Sequence, residues 1–241
     1  MTVLVEVCVD TTEGLADAIR GGAGRVELCA ALDLGGLTPS VGMMRRAVGS
    51  GVPVFAMIRP RAGNFVWSPD EMAVMETDIH AAREAGLQGV VLGASRPDGR
   101  LDADILRMLI GHAAGIGLTL HRCFDFVPDP AEALEQAIDL GFQRILTSGG
   151  AKTAAEGVEQ IAALMAQARG RIIVMPGAGV NAWSVPALRQ LPLQEVHSSC
   201  ALPVAESGQV TEFGFAASAG RRTDAGRVQE LRAALAGHPA D

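Results

Sequence analysis

Two short segments with the pattern Glu-x-Cys are the part of this sequence best suited to hold a metal ion. Glu6 precedes Cys8 and Glu27 precedes Cys29, each at the end of a short apolar run. Side chains alternate between the faces of a strand, so each glutamate shares a face with its cysteine. With both glutamates pointing inward on adjacent strands, the two thiols lie one layer above them, about 4.8 Å apart. Two thiolates at that spacing suit Cu(I), although free cysteines are also common in apolar cores and the pair could simply pack there.

Charged residues at the ends of other apolar runs indicate a site for a small anion. Arg59 and Arg61 follow one run, and His121 follows another. The two arginines could hold a carboxylate or a phosphate, and His121 or Glu27 could move a proton. Glu27, Arg59 and His121 are therefore the candidate catalytic residues. The alternative is a structural ion network, in which the arginines and histidines neutralise buried glutamates.

Two later turns add candidates for anion binding. Gly177 and Gly179 lie in a turn after one apolar run, and His197 and Ser198 end the next run. In barrel enzymes the loops after strands seven and eight often bind phosphate through backbone N–H groups. Glycines also permit tight turns without any ligand, so the pattern favours an anion pocket without requiring one.

The composition indicates a globular protein and excludes several kinds of chemistry. The 241 residues are 49% hydrophobic and 20% charged, with a net charge of −7. No basic segment could follow a nucleic-acid backbone, and no apolar run is long enough to span a membrane. Tyrosine is absent and Lys152 is the only lysine, so any Schiff base would depend on that residue. The sequence begins without a secretory signal pattern and its four cysteines are scattered, so we expect a cytoplasmic protein.

Short apolar runs alternate with amphipathic stretches along the sequence. Eight of these runs are expected to be β-strands, beginning near Val3, Arg25, Pro53, Gly89, Gly117, Arg144, Arg171 and Gln194. Alternating strands and helices form parallel sheets, and about 250 residues is typical of a TIM barrel. No G-x-G-x-x-G turn follows the first run, which argues against a doubly wound sheet. We therefore predict a single-domain α/β protein, a (β/α)8 TIM barrel over residues 1–241, with its function at the C-terminal ends of the strands.

Helix-capping residues agree with this organisation. Ser68 and Asp129 each precede a proline at the first position of an expected helix. Asp224 is expected to cap a last helix over residues 224–236. The longest irregular stretch, 201–223, is expected to be a rim loop, which either contacts a partner or packs on the barrel.

Several of these segments, taken together and in order, resemble the CutC family, known as copper homeostasis proteins. The matching segments are residues 6–8, 25–30, 35–40, 57–61, 121–122 with 124–125, 146–149, 177–179 and 196–199. The resemblance covers nearly the whole chain and implies a cytoplasmic TIM barrel that handles copper, with Cu(I) bound by Cys8 and Cys29. Asn64 stands where the family usually has an aspartate, and Cys123 where it usually has an alanine. No acid role is therefore carried over to Asn64, and no metal role to Cys123.

Two functions remain open at this point. The first is a copper homeostasis protein that binds Cu(I) at the C-terminal rim of the barrel. The second is a barrel enzyme acting on a small carboxylated or phosphorylated metabolite. We expect a copper ion or a small anion as the ligand, no nucleic-acid or membrane partner, and a homo-oligomer. Apolar side chains near expected loops could form the contact between copies: Met43, Met44, Phe65, Val66 and Trp67.

Overall fold

A computed structural model describes residues 2–205, 208–215 and 219–236 of the chain. Its central feature is a sheet of eight parallel strands in the order β7-β6-β5-β4-β3-β2-β1-β8. The strands are β1 (Leu4–Val9), β2 (Arg25–Leu28), β3 (Val54–Met57), β4 (Gly89–Leu92), β5 (Gly117–Leu120), β6 (Arg144–Thr147), β7 (Ile173–Pro176) and β8 (Glu195–Ser198). Each begins within two residues of its predicted start, because β-branched apolar runs bounded by turn residues form strands largely from local preferences.

Helices follow the strands and cover the outside of the sheet. They are α1 (Thr12–Gly21), α2 (Val41–Ala47), α3 (Pro69–Ala85), α4 (Ala103–His112), α5 (Pro130–Asp139), α6 (Val158–Ala168) and α7 (Val185–Leu188), with 3-10 turns at Leu32–Leu34 and Arg122–Phe126. Ser68 caps α3 in a capping box with Glu71, and Asp129 caps α5. Within the described part of the chain, no helix has the length and apolar character needed to cross a membrane.

The sheet curls into a nearly closed barrel, which confirms the predicted (β/α)8 fold. Neighbouring strands from β8 through β1 to β7 are joined by parallel ladders. Between β7 and β8, where no ladder is formed, the backbones still approach closely. A Cβ atom added to Gly177, just after β7, would lie 3.4 Å from the Cβ of His197 in β8.

Alternation along the strands separates an apolar outer layer from a polar interior. In β1 the valines at positions 5, 7 and 9 belong to the core between sheet and helices, so Glu6 and Cys8 point into the barrel. The same alternation in β2 turns Val26 and Leu28 outward and leaves Arg25 and Glu27 inside. The barrel interior is therefore unusually rich in buried charge, and those charges must be paired.

The stretch 201–223 was expected to be an irregular rim loop, but the structure shows regular secondary structure in it. It contains β9 (Ala201–Ala205) and β10 (Ala219–Thr223), paired antiparallel, with the short helix α8 (Gln209–Glu212) between them. We call β9, α8 and β10 the rim arm. A final helix, α9 (Ala225–Leu235), follows it and is capped by the Asp224 side chain, which accepts from the Arg227 N–H at 3.0 Å.

Candidate functional site

A cavity of about 610 Å³ opens at the C-terminal ends of the strands and is partly walled by the rim arm. Seven of the ten residues predicted for the site line it: Cys8, Glu27, Arg59, His121, Gly179, His197 and Ser198. Cys29, Arg61 and Gly177 are not part of its lining. The cavity collects side chains from strands far apart in sequence, because the C-terminal ends of parallel strands meet at one end of a barrel.

The register of the first two strands differs from the expected one. Glu6 lies opposite Arg25, and Cys8 lies opposite Glu27. The expectation that both glutamates share one layer and both cysteines the next is therefore wrong. Closing a sheet into a barrel requires adjacent strands to be staggered. The stagger sets Cys29 one layer above Cys8 and brings a carboxylate to the level of the Cys8 thiol.

Three potential metal ligands meet in what we call the cysteine corner, defined by Cys8, Glu27 and His197. One ligand atom from each lies within 4.8 Å of the others. His197 Nε2 is 3.8 Å from Glu27 Oε2, and His197 Nδ1 is 2.8 Å from Glu6 Oε1. A carboxylate behind the far nitrogen of a histidine is the usual support of a metal-binding imidazole. Sequence reasoning had named each residue but not the group, since only the barrel register brings it together.

The cysteine corner is a set of strongly coupled charges. Burial works against ionisation of Glu6, but Arg25 and His197 lower its pKa to about 2. Burial raises the pKa of Glu27 to about 6, although His197 acts in the opposite direction. Burial also disfavours the charged form of His197, yet Cys8, Glu27 and Glu6 raise the pKa of His197 well above its usual range. Cys8 and the two carboxylates therefore favour the charged form of the His197 imidazole.

Cys29 has a different environment from Cys8. Its thiol donates to Glu27 Oε2, with a sulfur–oxygen distance of 3.6 Å. Burial, followed by the negative charge of Glu27, raises the pKa of Cys29 well above that of a free thiol. Metals bind the thiolate rather than the thiol, so Cys29 is the poorer of the two predicted ligands.

A structural ion network does exist, and His197 takes part in it as expected through its contact with Glu6, but the arginines of the network differ from those expected. Arg25 bridges Glu6 and Glu195 through charged hydrogen bonds, and Arg144 Nε lies 3.2 Å from Glu195 Oε2. Both guanidinium groups also face the ring of Phe55, at 5.3 Å for Arg25 and 5.0 Å for Arg144. The network fills the barrel below the cavity. Sequence reasoning missed both arginines because each begins its strand, far from the rim.

On the other side of the cavity, Arg59 and His121 form what we call the arginine–histidine wall. The terminal nitrogens of Arg59 donate to the carbonyl groups of Leu34, Gly36 and Gly63 at 2.9 to 3.1 Å. His121 Nδ1 accepts from the Cys123 N–H at 3.2 Å, so Nε2 carries the ring hydrogen. Burial, with Arg59 nearby, lowers the pKa of His121 to about 3. The imidazole is therefore a neutral hydrogen-bond donor.

Three buried polar atoms of residues lining the cavity have no hydrogen-bond partner within the described protein: Arg59 Nε, His121 Nε2 and Glu27 Oε1. An unsatisfied buried polar group costs about 1–3 kcal/mol, and more if it is charged. Phe65 covers two of them, because its ring lies 4.7 Å from the His121 ring and 5.1 Å from Arg59 Cζ. Phe65, which also lines the cavity, therefore packs beside the two donors that a ligand at the wall would use.

Three predicted anion-binding residues are already occupied by other contacts. Arg61 turns away from the cavity, pairs with Glu71 and lies 4.9 Å from the Trp67 ring. The Gly177 N–H donates to the Thr147 carbonyl at 2.9 Å and is not free for an anion. Ser198 lines the cavity, but its hydroxyl donates to the Val180 carbonyl at 2.6 Å.

The outer part of the cavity carries basic residues that sequence reasoning missed. Four arginines line it: Arg122, Arg221, Arg222 and Arg227. Three acidic residues near them offset part of the charge: Asp10, Asp33 and Glu230. Two of the arginines belong to the rim arm, whose fold could not be predicted. Three of the four are in ion pairs: Arg122 with Asp125, Arg222 with Glu13 and Arg227 with Glu230.

The fold and the cavity together define the class of this protein: a TIM barrel with a polar cavity at the C-terminal end of its strands. Thiamine phosphate pyrophosphorylase from Pyrococcus furiosus shares the fold with a TM-score of 0.62 and 14% identity, covering 97% of this chain and 96% of that one. At that identity the likeness concerns the fold alone.

The chain belongs to the CutC family, whose model matches residues 3–202. The predicted resemblance is thereby confirmed. The CutC family protein of Sinorhizobium medicae (strain WSM419) is 59% identical over 235 residues, which are 97% of this chain and 96% of that protein. A CutC from Streptococcus agalactiae, assigned to copper homeostasis, has a TM-score of 0.78 and 33% identity, covering 82% of this chain and 99% of that one. The family match ends where the rim arm begins.

Proposed function

We propose that this protein takes part in copper homeostasis in the cytoplasm and holds a copper ion in the cysteine corner. The observation that carries the proposal is the convergence of a thiol, an imidazole and a carboxylate within 4.8 Å. Thiolate sulfur and imidazole nitrogen are donors that copper accepts. The description of the Streptococcus agalactiae relative as a copper homeostasis protein points the same way.

Cys8 and His197 would be the direct ligands of Cu(I), and Glu27 would add negative charge beside them. His197 can bind through Nε2 only after that nitrogen loses its proton. Glu6, which accepts from Nδ1 at 2.8 Å, then keeps the second ring hydrogen in place and orients the ring. Copper uptake therefore releases a proton, and the affinity rises with pH.

The originally predicted pair, Cys8 with Cys29, is a variant of this proposal. It requires Cys29 to lose its proton next to the Glu27 carboxylate, which the raised pKa of Cys29 disfavours. The two arrangements differ in their second ligand, so single substitutions distinguish them.

Anaerobic titration of Cu(I) against a chromophoric chelator tests the proposal. Cys8→Ser and His197→Gln should each weaken binding at least about tenfold, since even the loss of a supporting group costs about 10–100-fold. Cys29→Ser should bind nearly as wild type. Cys123→Ala is the matched control, because Cys123 is buried and not part of the cavity lining.

Two outcomes would change this view. A large loss in Cys29→Ser with none in His197→Gln would move the site to the two cysteines. Wild-type affinity in both Cys8→Ser and Cys29→Ser would refute copper binding at the rim altogether.

A second candidate function is catalysis on a small anionic metabolite, and a different observation favours it. Arg59 Nε and His121 Nε2 are donors without a partner, and Glu27 Oε1 is an acceptor without one. A neutral histidine donor and a carboxylate with a pKa near 6 form a pair typical of enzymes that remove a proton next to a carbonyl group. The arginines of the outer cavity would hold the carboxylate or phosphate of such a substrate.

In this reading Glu27 takes a proton from the carbon next to the substrate carbonyl. The electron pair of that C–H bond moves to the carbonyl oxygen, where His121 and Arg59 donate hydrogen bonds to the developing negative charge. Where that carbon also carries a hydroxyl group, the hydroxyl proton passes to the former carbonyl oxygen and the proton on Glu27 returns to the former carbonyl carbon. The carbonyl group then lies on the neighbouring carbon, and no other reactant is required.

Thermal-shift measurements with phosphorylated and carboxylated metabolites, in copper-free buffer, test this second candidate. A ligand of the wall should raise the melting temperature of the wild type. It should have little effect on Arg59→Lys, which lacks the Nε donor. Arg61→Lys, whose side chain points away from the cavity, serves as the control. A broad panel in which nothing stabilises the wild type would remove the support for an enzyme.

We still propose a homo-oligomer, but with a contact surface different from the predicted one. Met44 and Trp67 are buried in the core of the single chain and cannot carry a contact. Aromatic side chains that are exposed lie elsewhere: Phe126, Trp183, Phe213 and Phe215. Light scattering on the purified protein measures the oligomeric state, and a monomeric mass would contradict the proposal.

A further inference from the structure

A second group of metal-ligand side chains lies on the outer wall of the barrel, away from the cavity. It consists of Glu76 and His80 on α3 and His112 at the end of α4, with one ligand atom of each within 4.8 Å of the others. Glu76 and His80 are one helical turn apart, so they share a face of α3. Sequence reasoning had not singled out any of the three, because His112 is brought to that face only by the packing of α4 on α3.

We propose that these three residues form a binding site for a divalent transition-metal ion of the zinc and copper type. The distances support this directly. His112 Nδ1 lies 3.3 Å from His80 Nε2 and 3.5 Å from Glu76 Oε1. In a tetrahedral site with bonds of about 2.0–2.1 Å, two nitrogen or oxygen ligands are about 3.3–3.5 Å apart. Two of the three ligand pairs therefore already have the separation that such an ion imposes, and the atoms of the third pair lie within 4.8 Å.

Hydrogen bonding alone explains this cluster less well than a metal does. His112 Nδ1 faces both His80 Nε2 and Glu76 Oε1, but one ring nitrogen either donates a single hydrogen or accepts one, so it cannot satisfy both neighbours. In a metal complex, each of the three atoms would bind the ion through a lone pair. The hydrogen of each imidazole ring would then lie on the ring nitrogen that does not bind the metal. Two imidazoles and a carboxylate are ligands for Zn²⁺ and Cu²⁺ rather than for Mg²⁺ or Ca²⁺.

The backbone around the site is fixed and the site is open to solvent. Arg83 Nη1 donates to the His112 carbonyl at 3.0 Å and ties the end of α4 to α3. His80 is exposed, while Glu76 and His112 are half-buried. An ion could enter without any rearrangement of the helices. Since α4 ends on the side where β5 begins, the site lies at the opposite end of the barrel from the cavity, where barrels carry stability rather than catalysis.

Isothermal titration of Zn²⁺ into the full chain tests the site. A Cys8→Ser background removes the thiol of the cysteine corner, so that the outer-wall site is measured by itself. We expect one equivalent to bind, with affinity reduced at least about tenfold by adding His80→Ala or His112→Ala. Glu84→Gln, an exposed glutamate on the same helix, is the matched control and should leave the affinity unchanged.

A second measurement keeps the result interpretable if a variant is less stable. Stoichiometric Zn²⁺ should raise the melting temperature of the Cys8→Ser protein, because the ion joins α3 to α4, and should not raise that of the His80→Ala variant. Identical isotherms and identical thermal shifts with and without His80 would overturn the proposal. So would binding of Mg²⁺ as tight as that of Zn²⁺.

Discussion

The cysteine corner and the arginine–histidine wall border one cavity, but their charges are satisfied in opposite ways. In the corner, His197 is held between Glu6 at 2.8 Å and Glu27 at 3.8 Å. In the wall, one nitrogen of Arg59 and one of His121 have no partner within the described residues. The imidazole of the corner is thus paired without a ligand, although one acceptor, Glu27 Oε1, is left over, whereas the wall leaves two donors unused.

This difference indicates what each region needs in order to bind. A cation enters the corner only by displacing the proton of His197, so binding there competes with a stable ion network. A ligand at the wall would satisfy donors whose burial now costs stability. The cysteine corner therefore stabilises the fold. The unpaired donors of the arginine–histidine wall reduce the stability of the fold and favour the binding of a ligand.

The largest expected effect concerns the corner and the network below it. Glu6→Gln removes the carboxylate shared by Arg25 and His197, both of which are buried. Breaking a buried pair in this way costs about 3–5 kcal/mol of unfolding free energy. Urea unfolding measures it, with Glu135→Gln, at an exposed ion pair, as the control that should unfold like wild type. Equal midpoints for the two variants would mean that the network does not stabilise the fold.

A smaller effect separates the two histidines directly. His197→Phe leaves Glu6 and Glu27 without their shared partner and should cost about 1–3 kcal/mol. His121→Phe removes an imidazole that accepts only one hydrogen bond, from Cys123, and should cost about 1 kcal/mol. The same unfolding experiment compares them. If His121→Phe were the more damaging change, the contrast between corner and wall would be reversed.

The third expected effect is on the acid limb of the stability curve. The pKa of Glu6 is lowered from 4.5 to about 2 in the folded protein, so its contribution is complete above pH 4.5 and is lost between there and about pH 2. Wild type should lose stability over that interval, and Glu6→Gln should lose less of it. Unfolding midpoints measured across this pH range give the two slopes. Parallel slopes would exclude Glu6 as the titrating group.

Much of the fold and part of the site could be predicted from the sequence. Ser68, Asp129 and Asp224 are helix caps, as expected, and Cys8, Glu27, Arg59 and His121 all line the cavity at the predicted end of the barrel. The rim arm could not be predicted, because β9 contains a proline and β10 consists of small, charged and polar residues, so neither strand has a strong alternating apolar pattern.

What the sequence by itself determined is local: where strands and helices begin, and which side chains alternate inward. Such features depend on neighbouring residues along the chain. The tertiary structure alone decided the stagger that sets Cys8 opposite Glu27 rather than Cys29. It also decided that Arg25 and Arg144, not Arg61, neutralise the buried glutamates. The stagger of the strands follows from closing the barrel. A buried charge is stable only beside a partner charge, which comes from another strand. The stagger and the ion pairs therefore cannot be derived from one strand at a time.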